Sequence, residues 1–130
     1  MKQEGSLALQ ALVGPCEKVA RGVLHYQASL RCCRTALAAE RYRLAKNRWP
    51  DDLAALSPEF LREVPLDPYD GAPLRYRHTA DGVVIYSVGP DGEDNNGTID
   101  DQNPTSKGTD IGFRLYDPSR RRQPPPKADR

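Results

Sequence analysis

The sequence predicts an α+β domain, in which one long N-terminal helix packs on a three-stranded antiparallel sheet that carries a long acidic loop. The first observation is a stretch without proline, residues 16–46, in which apolar residues recur at helical spacing. The second is a pair of β-rich segments, residues 74–78 and 83–88, separated by an Asp-Gly turn signal. The third is the alternating segment 111–116, which can add another strand. A helix with one apolar stripe and a sheet with one apolar face can cover each other.

The predicted helix begins after Pro15, which suits a first helical turn, and ends before Pro50, because a residue that precedes proline avoids the helical conformation. Arginines fill most of its surface. Its apolar residues form a narrow stripe made of Val19, Val23, Tyr26, Leu30, Cys33, Leu37 and Leu44, with Ala38, Tyr42 and Ala45 alongside, and we expect Tyr42 to pack where the helix meets the sheet. We expect the part of this stripe between residues 30 and 44 to face the central strand, residues 83–88.

Between the helix and the strands, the sequence predicts a short helix and then an extended connector. Asp51 and Asp52 suit the positive N-terminus of a helix that ends before Pro58. The stretch "VPLDPYDGAP" is rich in proline and contains a glycine, a composition that favours turns and extended backbone.

Length and composition indicate one domain with a modest core, since the chain has 130 residues, a hydrophobic content of 38% and 12 prolines. We divide it into an N-terminal segment (1–15), an α+β domain (16–117) and a disordered, basic, proline-rich tail (118–130). No run of about 18 apolar residues is present, so the sequence predicts no membrane span. Three cysteines without a CxxC spacing, and two distant histidines, do not predict a zinc site.

An acidic segment follows the predicted central strand. Residues 91–101 contain no lysine or arginine but five acidic side chains: Asp91, Glu93, Asp94, Asp100 and Asp101. Calcium takes about six to eight oxygen ligands from carboxylates, amides and carbonyls, and neighbouring glycines let carbonyls turn inward. An EF-hand is excluded, because placing Gly97 at the sixth loop position puts Gly92 at the first and Asn103 at the twelfth. Two alternatives remain open: a nonstandard calcium loop, and a flexible acidic loop without an ion.

Several stretches together resemble a known family. These are "NRWP", "FLREVPLDPYDGAPLRYR", "VVIYSVGPDGED" and "TDIGFRLYD". Over about residues 30–117 the sequence is similar to the C-terminal globular domain of the major pseudopilin of type II secretion systems, a domain that also occurs in uncharacterised bacterial proteins. The sequence departs from the family in two ways. It lacks the N-terminal phenylalanine and the hydrophobic helix that build the filament, and its loop between Asp91 and Asp110 is longer.

The resemblance implies a calcium site. Its ligands would include the carbonyl oxygens of Val88 and Pro90 and the side chain of Asp91. The closing carboxylates stay ambiguous: Asp100 and Asp101 match by their distance from Asp91, whereas Asp110 matches by its context, and Asp94 and Asn96 are secondary candidates. The resemblance also implies a periplasmic or other extracytoplasmic location, with membrane attachment through an upstream segment that this sequence does not contain.

No arrangement of residues in the sequence predicts catalysis. His25 and His78 stand apart from any nucleophile signature, so we expect no enzyme activity and no small-molecule substrate. The first hypothesis is therefore a noncatalytic, calcium-stabilised, pseudopilin-like domain for structure and assembly, with protein partners or copies of itself. The second is a recognition module whose basic helix or tail binds an acidic protein, a membrane or nucleic acid. Nucleic acid is the weakest of these partners, because few aromatic residues accompany the basic ones.

Overall fold

One long helix packs on an antiparallel sheet of three strands, which confirms the predicted α+β class. The computed structural model describes residues 2–121, with side chains from residue 11 onward except residue 12. The elements in chain order are helix α1 (Lys2–Lys46), a 3-10 turn (Leu53–Leu56), strands β1 (Arg75–Thr79), β2 (Gly82–Ser87) and β3 (Ile111–Tyr116), and a second 3-10 turn (Pro118–Arg120). The strand order is β1-β2-β3, with β2 in the middle. Within residues 2–121, no helix combines the length and the apolar character needed to cross a membrane.

Helix α1 is longer than the sequence predicts, since it continues through Pro15 instead of starting after it. The predicted start of the helix at Cys16 is therefore wrong. Proline removes one helical hydrogen bond, to the carbonyl four residues earlier. That carbonyl belongs to Ala11, which is exposed, so water can bond to it in place of the missing amide. The helix ends at Lys46, and the following Asn47 has a left-handed φ of 58° and an amide that donates to the Arg43 carbonyl at 2.8 Å.

The helix face that meets the sheet is only in part the predicted one, since Ala38 and Tyr42 are buried there as expected but most of the stripe is not. Leu37 and Leu44, in the part of the stripe that was expected to face β2, are 62% and 66% exposed. The buried face carries smaller side chains and one tyrosine: Ala28, Cys32, Thr35, Ala36, Ala38, Ala39 and Tyr42. Bulky side chains from the rest of the chain, among them Leu56, Leu74 and Ile85, fill the space beneath it. Small helix residues leave room for those side chains, so the volume of the core comes mainly from outside the helix.

Strand β2 is the centre of the domain, as predicted, and all six of its residues are buried. Ile85 pairs with Tyr76 on β1 and Phe113 on β3, and its side chain lies in the core under α1. On the opposite face of β2 lie Val84 and Tyr86. The acidic loop crosses that face, because a Cβ atom added to Gly97 would meet the side chains of both residues. Strand β2 is therefore covered by the helix on one side and by the acidic loop on the other.

A 3-10 turn follows the end of α1, and a side-chain hydrogen bond beside it connects Trp49 to Asp117. The predicted short helix after Pro50 is a 3-10 turn, in which the Asp52 carboxylate accepts from the Ala55 amide at 2.9 Å. Next to it, the indole Nε1 of Trp49 donates to Asp117 Oδ1 at 2.6 Å. The Trp49 bond ties the end of α1 to the residue that follows β3.

The predicted disordered tail begins too early in the sequence. Residues 118–120 form a turn, and the Arg121 guanidinium donates to both carboxylate oxygens of Glu40 at 3.0 and 2.8 Å. Arg121 Nε also donates to the Tyr116 carbonyl at 2.8 Å. The chain thus stays attached to the domain as far as residue 121, and the rest of the predicted tail lies outside the described residues.

Candidate metal centre

The acidic loop between β2 and β3 folds back on itself. Its middle meets its C-terminal end where Ile99 forms a parallel bridge with Asp110 and the Asp110 amide donates to the Thr98 carbonyl at 2.7 Å. Gly97, with a φ of +75°, makes the turn just before this bridge and lies against β2. The path brings residues distant in sequence, such as Asn95 and Asp110, next to each other.

Asp110, the last residue before β3, is the buried residue around which the loop folds. Its carboxylate is fully shielded from solvent and accepts backbone amides from Gly97 at 2.8 Å and from Asn95 at 3.1 Å. Burial raises the pKa of Asp110 above its ordinary value, while the amide donors act in the opposite direction. The carboxylate therefore organises the turn around Gly97 by gathering amide N–H groups.

Asp91 plays a similar part near the start of the loop, although it is only half-buried. Its Oδ1 accepts the Glu93 amide at 3.0 Å, and its Oδ2 accepts the Asn95 side-chain amide and the Gly108 amide, each at 3.0 Å. The hydrogen bond from the Glu93 amide is the main cause that lowers the pKa of Asp91. Asn95 thus links the two carboxylates, since its backbone amide bonds Asp110 and its side chain bonds Asp91.

The remaining candidates lie further out. Asp94 is exposed, accepts the Tyr86 hydroxyl at 2.9 Å, and lies 3.7 Å from the Arg75 guanidinium. Burial, followed by the hydrogen bond to Asp94, raises the pKa of Tyr86 to about 12. Asp100 accepts amides from two following residues in its own turn, which lowers its pKa, and Asp101 is exposed.

These contacts explain how the loop tolerates its charge. Each of Asp91, Asp94, Asp100 and Asp110 accepts N–H or O–H donors, so local dipoles stabilise its negative charge. Among residues 2–121, no three His, Cys, Asp or Glu side chains lie close enough together to hold a metal ion. Any calcium ligation would therefore need carbonyl oxygens as well as carboxylates.

The predicted carbonyl ligands lie on either side of Gly89. Val88 is buried at the end of β2, and its amide donates to Asp67 at 2.9 Å, whereas Pro90 is exposed. Gly89 between them has a φ of +72°, a left-handed conformation that starts the loop. Asn96, the last candidate, also has a positive φ, and its amide donates to Asp94 at 2.9 Å.

Asp67, in the connector, is a central residue that the sequence reasoning missed. It is fully buried, and its carboxylate accepts the Ser87 hydroxyl at 2.8 Å, the Val88 and Tyr69 amides at 2.9 Å, and the Arg75 guanidinium at 3.1 Å. It therefore fastens the connector to the point where β2 becomes the acidic loop. The available signal was the "DPYDG" stretch, because an aspartate often accepts the amide two residues later in a turn.

The other candidates make structural contacts. His78 is exposed, and its Nε2 lies 3.0 Å from the Pro50 carbonyl, which also accepts the Tyr76 hydroxyl at 2.6 Å. Some basic residues of α1 are similarly engaged: Arg31 donates to the Leu66 carbonyl at 2.7 Å, and Arg43 pairs with Glu40.

Comparison with protein families, with characterised proteins and with solved structures found no match.

Proposed function

We propose that this chain is a noncatalytic, pseudopilin-like structural domain that serves assembly and whose acidic loop is stabilised by calcium. The observation that carries the proposal is the position of the loop, which covers Val84 and Tyr86 on the face of β2 opposite α1. Closure of the loop completes the core. A cation bound there would therefore act on the stability of the whole domain.

The residues of the loop fit such an ion as oxygen donors at its two ends. Asp91 is the best-placed carboxylate, since it is half-buried near the carbonyls of Val88 and Pro90, and its Oδ1 accepts one donor only. Asp110 is less available, because its oxygens already hold the Asn95 and Gly97 amides. Calcium would supply positive charge to a segment that lacks basic residues between positions 91 and 101.

A noncatalytic role is supported by what the titratable side chains do. Asp67, Asp91 and Asp110 are occupied by backbone amides and by partners within the fold. A general acid or base needs a free position facing a substrate, and these carboxylates instead connect segments of the chain.

Thermal unfolding tests the calcium part of the proposal. We expect millimolar calcium to raise the melting temperature by several degrees relative to chelator, because an ion that binds only the folded state stabilises it by mass action. Magnesium should do less, since it requires a small octahedral shell. Asp91→Ala should lower the melting temperature in chelator, because it removes three hydrogen bonds, and should also abolish the further increase with calcium.

The matched control is Glu93→Ala, which removes an exposed acidic side chain of the same loop and should keep the calcium effect. Identical melting curves of the parent in chelator and in calcium would contradict the calcium proposal. The amide hydrogen bonds to Asp91 and Asp110 would then be what holds the loop closed.

A further inference from the structure

The exposed apolar stripe of α1 has a regular spacing. Steps of three and four residues alternate along it, which gives an average of 3.5 residues, the repeat of a coiled coil. We call this stripe the seam; it consists of Cys16, Val19, Val23, Tyr26, Leu30, Cys33 and Leu37. Val19 and Tyr26 are each 66% exposed. Nothing within the described part of the chain covers these side chains fully.

From Cys16 to Leu30 the seam lies on the side of α1 away from the sheet, whereas Cys33 and Leu37 border Phe113 and Leu115 of β3. In heptad terms its residues occupy positions a and d, whereas most of the buried residues fall at positions c and f, with Ala38 at b and Ala36 at g. Positions c and f lie on the far side of the helix from a and d. A second helix can therefore pack on the seam from Cys16 to Leu30 without meeting the sheet of its own chain, and at Cys33 and Leu37 it would lie beside β3.

The first half of α1 also needs a partner for its stability. Residues 13–23 are all exposed, and the first buried residue of the described side chains is Ala28. A helical segment without packing is marginal in water, and Gly14, Pro15 and Gly22 weaken this one further. Packing along the seam would supply the contacts that the sheet does not.

We propose that the seam is the interface of a parallel, two-stranded coiled coil between two copies of this chain. In a parallel pair each seam residue meets its own counterpart, and no charged residue interrupts the seam from Cys16 to Leu37. Its length is about three heptads, near the lower limit for a stable coiled coil. The apolar seam ends where Glu40 takes the next d position and pairs with Arg121 of the same chain.

The flanking positions permit this parallel pairing. Residues at position g meet residues at position e of the next heptad in the other copy. The resulting pairs among exposed or partly exposed residues are Gly22 with Gln27 and Ser29 with Arg34. None of these pairs joins two like charges, so the two copies do not repel each other along the seam.

This inference deepens the assembly part of the proposed function by naming the partner, and it rests on the helix surface rather than on the loop. The test is light scattering of the full chain after size exclusion, in chelator, over a series of concentrations up to about 200 μM. We expect the mass to rise from 14.5 kDa toward twice that value. Because calcium is absent, failure of the calcium proposal would leave this result unchanged.

A matched pair of variants locates the interface. Val23→Asp places a charge in the seam and should keep the chain monomeric, whereas Arg21→Asp changes an exposed residue at position f and should leave self-association intact. Neither residue lies in the core, so both variants should melt like the parent at low concentration. A parent that stays monomeric at about 200 μM would overturn the proposal, as would self-association that Val23→Asp does not weaken. In the first case an acidic helix that pairs with Arg34 and Arg41 becomes the better candidate.

Cysteine crosslinking tests the parallel orientation. In the Cys33→Ser variant, Cys16 is the exposed thiol, while Cys32 is buried and burial raises its pKa to about 12. Mild oxidation should then join two chains through Cys16, and the double variant Cys16→Ser/Cys33→Ser should give no covalent dimer. Self-association without the Cys16 crosslink would refute the parallel arrangement.

Discussion

Asp67→Asn should destabilise the domain by about 4 kcal/mol, because it alters a buried carboxylate that holds three segments of the chain together. The Asp67 oxygens accept four donors, from Tyr69, Arg75, Ser87 and Val88. An asparagine has one acceptor oxygen in place of two. Its NH₂ group would point at two of the four donors and would accept no hydrogen bond from them. Hydrogen bonds to a charged group contribute about 1.5–3 kcal/mol each, so the loss of two costs roughly 3–6 kcal/mol.

The destabilisation by Asp67→Asn should fall in the lower half of the range of roughly 3–6 kcal/mol. Arg75 keeps a second partner, since its Nη2 donates to Asp70 at 2.5 Å, so the substitution does not strand a guanidinium without a counterion. A loss of this size is a large part of the roughly 5–15 kcal/mol that stabilises a small domain.

Urea unfolding followed by far-ultraviolet circular dichroism measures the effect. The midpoint should fall at an unchanged slope, because the surface exposed on unfolding stays the same. Asp70→Asn is the matched control: Asp70 is exposed and binds the same guanidinium, so its loss should cost no more than about 1 kcal/mol. A loss below about 1 kcal/mol for Asp67→Asn, or one equal to that of the control, would refute the view that this carboxylate anchors the connector.

Three further predictions concern the core, the sheet and pH. Ile85→Asp should unfold the domain under all ordinary conditions, because it places an unpaired charge at a fully buried position; a cooperative melt like that of the parent would disprove the core assignment. Gly112→Ala should destabilise by more than about 2 kcal/mol in urea unfolding, since the new Cβ would lie 2.0 Å from the Ile85 carbonyl oxygen; an effect below about 0.5 kcal/mol would contradict that close approach. Arg121, with a smaller contribution from Arg43, lowers the pKa of Glu40 from 4.5 to about 2, so the ion pair stabilises the fold above pH 4.5 and this stability is lost as the pH falls toward 2. The stability difference between the parent and Glu40→Gln should therefore shrink by about 1 kcal/mol over that pH range, the small value reflecting solvent screening, and a difference that is constant with pH would count against the pair.

Some of this architecture could be predicted from the sequence because it depends on local composition. The β-branched run of β2, between an Asp-Gly turn and a glycine-rich loop, predicts a central strand, and the structure confirms it. The class follows from the same reasoning, since a long helix and a sheet must bury their apolar faces together.

The buried face of α1 could not be predicted in the same way. Periodicity indicates that one face of a helix is apolar, but it does not say what covers that face. Here the largest apolar residues, such as Leu37 and Leu44, are exposed, while alanines such as Ala36 and Ala39 meet the sheet. That outcome depends on the bulk of Leu56, Leu74 and other distant side chains, which compete for the same space.

The contacts within the acidic loop could not be predicted from the sequence either. The sequence shows a cluster of like charges whose mutual repulsion must be reduced. Bound calcium and hydration both reduce such repulsion, so the sequence alone does not distinguish between them. The contacts of Asp110 with Gly97 and Asn95 arise from a long-range return of the chain, which no local pattern encodes. Calcium binding by this loop stays a prediction, and the melting experiment decides it.

The junction at Trp49 has a practical consequence. Trp49 is the only tryptophan of the chain, its indole N–H bonds Asp117, and the Arg43 guanidinium lies 5.5 Å from its ring centre. Its emission spectrum therefore reports on one place, where the last turn of α1 meets the end of β3. A red shift that precedes the loss of helical signal would reveal that this junction opens before the sheet does, and would give the domain an intrinsic optical probe without any label.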